Sequence, residues 1–395
     1  MVVTAARAVR PTSARALADT LRDADAEGLA VVPRGNGSQQ HVGNPPSRAD
    51  LVLETTALSG VVEHNPADLT VTVAAGTSLR ELQATLARAG QRLPLDPPGA
   101  EAATVGGIIA TNASGPRRQR HGTLRDLLIG TRAALVDGTI ARAGGKVVKN
   151  VAGYDLDKLY IGSLGTLAIV VEATFKVLPL PAREEALVAR FDELRDAVAC
   201  GAALARTALR PAALEAHDLD GDATLVVVAE GESAPVARVL DEAARIAREH
   251  GARATERRAD VEGLLAVSRA IAGGDGAVLR ASLPLAATPA YVAALRHGGA
   301  ERTVRKGVAA HAGAGIVRAR FAGDADAVRE AVLAAAALAK SLDGDAWIER
   351  ASDPLRDALP DVWLGEPAAF FLMRRIKREF DPKGTLNPGR FVGGL

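Results

Sequence analysis

The sequence predicts an α+β protein built in two parts, and three observations carry that reading. Within the first 180 residues, three glycine-bearing segments, 34–39, 104–115 and 162–166, stand among runs that read as strands. From about residue 183 to 349 the glycine clusters thin out. Strand-like runs alternate there with helix-like ones, the layout of an antiparallel sheet covered by helices on one face. Between the two regimes stand Pro179 and Pro181, followed by Arg183-Glu184-Glu185, which mark a boundary. The expected parts are 1–180, 181–365 and a closing segment, 366–395.

Length and composition are consistent with this plan. A chain of 395 residues with 48% hydrophobic content holds two domains and a sizeable core. With 3% aromatics, that core must be built from Ala, Val, Leu and Ile. A net charge of +1 argues against a dedicated nucleic-acid surface. The one cysteine, Cys200, makes neither an internal disulfide nor a cysteine-ligated cluster, so the chain is expected to carry no iron–sulfur centre of its own. It lies in the apolar run 197–202 and reads as a buried structural residue. The N-terminus has no apolar run of signal-peptide length, and Ala331 to Ala339 is too short to span a bilayer. The expectation is a soluble, cytoplasmic protein that meets a membrane only through partners.

In chain order, Pro11 to Glu27 reads as a helix capped by Thr12 or Ser13, with Leu17, Leu21 and Ala24 on one face and Gly28 as its stop. Leu29 to Pro33 is a buried strand that delivers the chain to Arg34-Gly35-Asn36-Gly37-Ser38-Gln39. Successive N–H groups in such a loop wrap a phosphate, although a plain turn has the same composition. The loop lacks the three-glycine spacing of the dinucleotide fingerprint, which makes a Rossmann reading poor. Leu51 to Glu54, Val61 to His64 and Thr70 to Ala75 read as strands, and Ser78 caps a helix from Leu79 to Ala89. The stretch from Pro98 to Thr131 follows, with Gly106-Gly107 and Asn112-Ala113-Ser114-Gly115. Glycine removes the Cβ that holds a flat ligand away from the main chain, although taken alone these residues also suit a turn-rich loop. Leu127 to Val136 and Thr139 to Ala143 are strands joined by an Asp137-Gly138 turn. A short helix, Leu156 to Ile161, leads through Gly162-Ser163-Leu164-Gly165-Thr166 into a strand, Leu167 to Leu178.

In the second part, strands are expected at Ala186–Phe191, Ala223–Ala229, Ala277–Leu283 and Gly315–Phe321. Helices are expected at Glu193–Ala208, Ala234–His250, Pro289–Arg296 and Ala325–Ser341. Segments 273–276 and 298–299 read as surface loops. A final amphipathic helix, Glu366 to Phe380, carries Arg374, Arg375, Lys377 and Arg378 on a solvated face.

The three loops together resemble the FAD-binding domain of the vanillyl-alcohol oxidase and p-cresol methylhydroxylase superfamily, over roughly residues 12–180. The resemblance implies a pyrophosphate loop at Pro33, Arg34, Gly35, Asn36, Gly37, Ser38 and Gln39. It implies a second flavin-contacting segment at Pro98, Gly99, Thr104, Val105, Gly106, Gly107, Ala110, Thr111, Asn112, Ser114 and Gly115. A third segment holds Gly162, Ser163, Gly165, Thr166 and Ile169, and Asn387 of Asn387-Pro388-Gly389 returns to the flavin domain. Lys149-Asn150-Val151-Ala152-Gly153-Tyr154-Asp155-Leu156 and the closing Phe380-Asp381-Pro382 … Asn387-Pro388-Gly389-Arg390 carry a finer match. They resemble the D-2-hydroxyacid dehydrogenases, in particular the FAD-binding subunits of bacterial glycolate oxidases. That match implies oxidation of a small 2-hydroxyacid, with a catalytic flavoprotein subunit and an iron–sulfur subunit as partners, at the inner face of a membrane through them. Two open alternatives are a self-sufficient D-lactate or glycolate dehydrogenase and a non-catalytic flavin-fold assembly subunit.

Two departures from the resemblance matter. Ser38 stands where some relatives attach FAD through a histidine, so noncovalent FAD is expected. His311 retains the start of a metal-binding segment, but Ala314 replaces an acid and Arg318 replaces the second histidine. Arginine stays protonated and cannot ligate a cation, so no metal is expected. Oxidising a 2-hydroxyacid needs a base for the hydroxyl proton and a cation for the carboxylate. Arg34, Arg117, Arg118, Arg120 and Arg390 are candidate cations. Candidate bases are few: His121, His311 and Tyr154.

Overall fold

The computed structural model describes residues 7–146, 153–219, 221–297, 304–359 and 361–395. The chain divides into two compact units. The first comprises Met1–Ser114, Gly122–Leu180 and Gly365–Leu395, and the second comprises Gly115–His121 and Pro181–Leu364. Segment 115–121, assigned above to the first part, therefore groups with the second. Its own charges explain this: Arg117 pairs with Glu184 and lies 3.6 Å from Glu230, and His121 Nε2 sits 2.6 Å from Glu230 Oε1.

The first unit opens with β1 (Arg7–Val9), α1 (Ala14–Ala26), β2 (Val31–Arg34) and β3 (Leu51–Glu54). The strands make a parallel sheet in the order β1-β3-β2. Ser13 caps α1 by accepting from Ala16 N–H, and Leu17, Ala18, Leu21 and Ala24 bury its one apolar stripe. Next come β4 (Val61–Asn65), β5 (Thr70–Ala74), α2 (Leu79–Ala87), β6 (Gln91–Arg92) and α3 (Val105–Thr111). The single turn α4 (Arg118–His121) belongs to the second unit. The chain then returns as α5 (Leu124–Leu127), β7 (Leu128–Ala134), β8 (Ile140–Gly144), α6 (Asp157–Tyr160), β9 (Ile169–Lys176) and β10 (Leu178–Pro179). An antiparallel sheet in the order β4-β5-β9-β7-β8 results, and α2 and α3 share one core with it.

Helix α3 is absent from the sequence reading because Gly106-Gly107 gives it poor propensity. It forms because Thr104 Oγ1 accepts from Gly107 N–H, Ile108 and Ile109 are buried, and Asn112 closes it at φ 50°. The segment 146–155 falls partly beyond view: residues 147–152 lie outside the described ones, as does the 298–299 loop.

The second unit runs through β11 (Arg183–Phe191), α7 (Leu194–Ala205), β12 (Ala213–Asp218), β13 (Ala223–Gly231), α8 (Ser233–Glu249) and β14 (Ala254–Arg258). It continues with α9 (Val261–Ala270), β15 (Ala277–Ser282), α10 (Thr288–His297), β16 (Arg305–His311), β17 (Ile316–Phe321), α11 (Ala325–Ser341), β18 (Asp345–Ala351) and α12 (Asp353–Asp357). Eight strands form an antiparallel sheet in the order β14-β11-β13-β12-β16-β17-β15-β18. Helices α7, α8, α10 and α11 bury one face against Leu187, Leu225, Val227, Val317 and their neighbours. The expectation of helices on one face alone is corrected by α9. Its Val261 and Leu265 pack on Ala186, Val226 and Val228, the alternate residues of the same strands.

The chain closes in the first unit with α13 (Phe370–Phe380), which starts four residues later than expected. Lys377, expected on a solvated face, is buried. Its Nζ donates to Thr166 O (2.7 Å), Asp381 Oδ2 (2.6 Å) and Leu386 O (3.0 Å). Leu386 forms a parallel bridge with Val31, so the C-terminal segment lies beside β2.

Candidate functional site

A cavity open to solvent, with about 730 Å³ of space between its walls and the open water at its mouth, lies within the first unit. Its walls are the loop after β2, the glycine face of α3, the turn leading into β9, and the C-terminal segment. Close approach of backbone makes it. A Cβ on Gly35 would stand 2.3 Å from Thr104 Oγ1. One on Gly165, whose φ is 68°, would stand 2.9 Å from Pro33 Cγ. Two side chains stitch the C-terminal segment to the other walls. Asn387 Nδ2 donates to Leu164 O at 2.6 Å. Arg390 donates to Val42 O (3.2 Å), Gln40 Oε1 (2.8 Å) and Gln40 O (2.8 Å). Arg34 is held by Glu54 at 2.6 Å. Two polar atoms of lining residues are buried with no partner, Asn387 Oδ1 and the Tyr160 hydroxyl. Burial, and then the nearby Asp157 carboxylate, push the Tyr160 hydroxyl's pKa up, so it stays a neutral donor.

Most residues named from sequence meet on this cavity: Pro33, Arg34, Gly35, Asn36, Gly37, Ser38 and Gln39 from the first loop, Thr104, Gly106, Gly107, Ala110 and Thr111 from the second, and Ser163, Gly165, Ile169 and Asn387. Others stand behind the wall. Pro98 O accepts from Gln39 Nε2 at 3.2 Å, and Gly99 lies in the following turn. Val105 faces the core under α3, Asn112 ends that helix, and Ser114 and Thr166 are buried. Gly162 supplies a positive φ of 80°, and Gly115 belongs to the second unit. Sequence reasoning missed Gln40, Thr55, Tyr160, Leu164, Ala168 and Val170 as lining residues. Tyr160 had a signal, an aromatic one helical turn before the third loop. Thr55 follows an ordinary strand and had none.

None of the candidate bases is among the residues lining this cavity, and the two histidines are engaged. His121 pairs with Glu230, and Arg120 donates to Glu230 O at 2.9 Å. Tyr154 is 91% exposed. His311 is buried at the end of β16 within a closed chain of charges. Its Nδ1 lies 2.5 Å from Glu215 Oε1, and Arg318 Nη1 donates to its Nε2 at 2.9 Å. Arg318 Nε and Nη2 reach both oxygens of Glu349, at 2.6 and 3.1 Å. Ser268 Oγ donates to the other Glu215 oxygen at 2.9 Å. An arginine donor on Nε2 fixes the neutral tautomer with its proton on Nδ1. Burial lowers this imidazole's pKa against the pull of Glu215. The ring has no free lone pair for a proton or a cation. Arg280, across from Arg318 on β15, is pushed down to about 10 by burial and by Arg318, against Glu349. Cys200 is buried in α7 with its thiol pushed up to about 12, which makes it inert. No helix among the described residues is long and apolar enough to cross a membrane.

A parallel and an antiparallel sheet around a glycine-walled cavity, followed by a helix-covered antiparallel sheet, define an FAD-linked oxidoreductase of the p-cresol methylhydroxylase type. Residues 5–144 match a family model described as FAD binding domain, and residues 363–391 match FAD linked oxidases, C-terminal domain. A D-lactate dehydrogenase of Archaeoglobus fulgidus is 32% identical over 98% of this chain and 91% of its own length. The glycolate oxidase subunit GlcE of Escherichia coli is 39% identical over 42% of this chain and 47% of its own length. A solved alkyldihydroxyacetonephosphate synthase shares the fold, with TM-score 0.70 at 16% identity, covering 96% of this chain and 76% of that one. The chain belongs to the FAD-linked oxidase family, and its cofactor is FAD.

Proposed function

We propose that this chain is the FAD-binding subunit of a multi-subunit glycolate oxidase. It would hold FAD noncovalently and work with a catalytic flavoprotein subunit and an iron–sulfur subunit, passing electrons or supporting their assembly. The observation that carries this reading is the engagement of both candidate histidines, the third candidate base, Tyr154, being 91% exposed. His121 is hydrogen-bonded to Glu230, both ring nitrogens of His311 are engaged by Glu215 and Arg318, and no histidine among the described residues lines the cavity.

The cavity suits a flavin dinucleotide. Glycines at 35, 37, 106, 107 and 165 leave main chain open on its walls. The unpartnered Asn387 Oδ1 would be free to accept a hydrogen bond from the cofactor, and the Tyr160 hydroxyl to donate one. Bound FAD supplies two-electron oxidation of a carbinol carbon. The loop after β2 would hold the phosphates, Arg390 holds that loop by its carbonyls, and Asn387 orients the third loop. Ser38 offers a hydroxyl where a histidyl bond would need an imidazole, so the association is noncovalent.

A second reading, a self-sufficient D-2-hydroxyacid dehydrogenase, is favoured by the end-to-end similarity to a D-lactate dehydrogenase. Steady-state turnover separates the two. The subunit reading expects the purified chain alone to oxidise glycolate far below the rate reached with both partners. The same rate without them would overturn it.

A further inference from the structure

We infer that the outer face of α13 docks a second protein subunit, one that presents an apolar groove edged with carboxylates. The inference rests on the multi-subunit reading above. Phe371 and Leu372 are 56% and 45% exposed, neighbours on one helix. The lead-in 365–369 is exposed too, and it contains Pro367, Ala368 and Ala369. Adjacent exposed apolar side chains of this size are uncommon on a free surface and mark interaction sites.

Three arginines complete the patch. Arg374, Arg375 and Arg378 are exposed, and Phe371, Arg375 and Arg378 fall on one stripe at i, i+4 and i+7. Some helix-surface arginines meet carboxylates of their own helix, as Arg15 and Arg22 do with Asp19 and Arg245 does with Glu242 and Glu249, while others, such as Arg80 and Arg238, do not. Among the described residues the three on α13 have no carboxylate partner. Glu379 on the same helix engages none of them, and Arg374 instead lies over the Phe370 ring at 5.3 Å. Inward, α13 is fixed by buried Phe370 and Lys377, so the outer face is presented on a rigid element.

The composition selects a protein over a lipid surface. Aromatic residues and arginine are enriched in protein interfaces and their hot spots, where the guanidinium fork pairs with carboxylates. Lipid-binding segments need four to eight clustered cations, more than α13 exposes.

The test uses the full FAD-loaded chain, with the catalytic and iron–sulfur subunits of the same source immobilised in turn. F371S/L372S and R375E/R378E are compared with the unaltered chain by biolayer interferometry. Thermal melting and flavin absorbance check that each variant is folded. The expected result is binding to one subunit that weakens about thirtyfold or more in each folded variant and falls with added salt. Binding that persists unchanged in both variants overturns the docking face and leaves the multi-subunit reading standing. If the unaltered chain binds neither subunit, the multi-subunit reading fails and the docking face with it. Vesicles of 30% phosphatidylserine form a separate arm, and retention on them that both variants lose assigns the face to lipid and overturns a protein occupant.

Discussion

Asn387 shows most directly how one side chain serves the cavity. It adopts φ 44°, donates to Leu164 O, and leaves its own oxygen buried and unpartnered. Asn387→Leu removes the donor and the acceptor together. FAD affinity, measured by quenching of flavin fluorescence, should weaken about tenfold, the worth of a hydrogen bond or two; unchanged affinity would remove Asn387 from the site. Lys377 serves the same wall from behind. Lys377→Met leaves Asp381 without its cation and frees the carbonyls of Thr166 and Leu386. A loss of about 3 kcal/mol or more in urea unfolding is expected, and a loss under about 1 kcal/mol would contradict the role drawn for it. At this scale the sequence showed Asn387 and the glycines, because each carries a recognisable local demand. It hid Lys377 among three other cations of one helix, since nothing local tells a buried lysine from a solvated one.

Among the elements, the loops were legible and some strands were not. Strands β12, β14, β16 and β18 went unread because charged residues interrupt them: Glu215 and His217, Glu256 and Arg257, Arg305 and Lys306, Glu349 and Arg350. Three of the four, β12, β16 and β18, contribute to the buried charge chain, so polar residues that mimic a loop in sequence lie on a sheet face in space. Helix α3 was hidden by its glycines, which is the cost of a helix that lies against a ligand cavity. The third loop gives a test at this scale. Gly165→Ala places a Cβ at φ 68° and 2.9 Å from Pro33. It should cost about 1–2 kcal/mol and lower flavin occupancy of the purified protein. A variant that melts with the parent and retains full flavin would show that the loop does not need this conformation.

For the molecule as a whole, stability should depend on acid in a defined direction. Burial lowers the pKa of His311 and His217 from the ordinary value of 6.5. Below that value the unfolded chain binds more protons than the folded one, so these residues' contribution is present above about pH 6.5 and is lost as pH falls. Melting temperature should drop between pH 6.5 and 5, and His311→Gln should flatten the slope. A melting temperature that rises over that interval would contradict the neutral, locked imidazole. Composition marks a boundary near residue 181, but nothing in it marks the passage of segment 115–121 into the second unit. That passage depends on Glu184 and Glu230, far along the chain.

As the subunit proposed above, this chain would hold FAD and depend on its partners to oxidise the acid. The most direct measurement is the visible spectrum of the purified chain, before and after anaerobic addition of glycolate and then D-lactate. The account predicts flavin absorbance that neither acid bleaches until the partner subunits are added. Prompt bleaching by either acid in the chain alone would contradict it and place a working base within this chain.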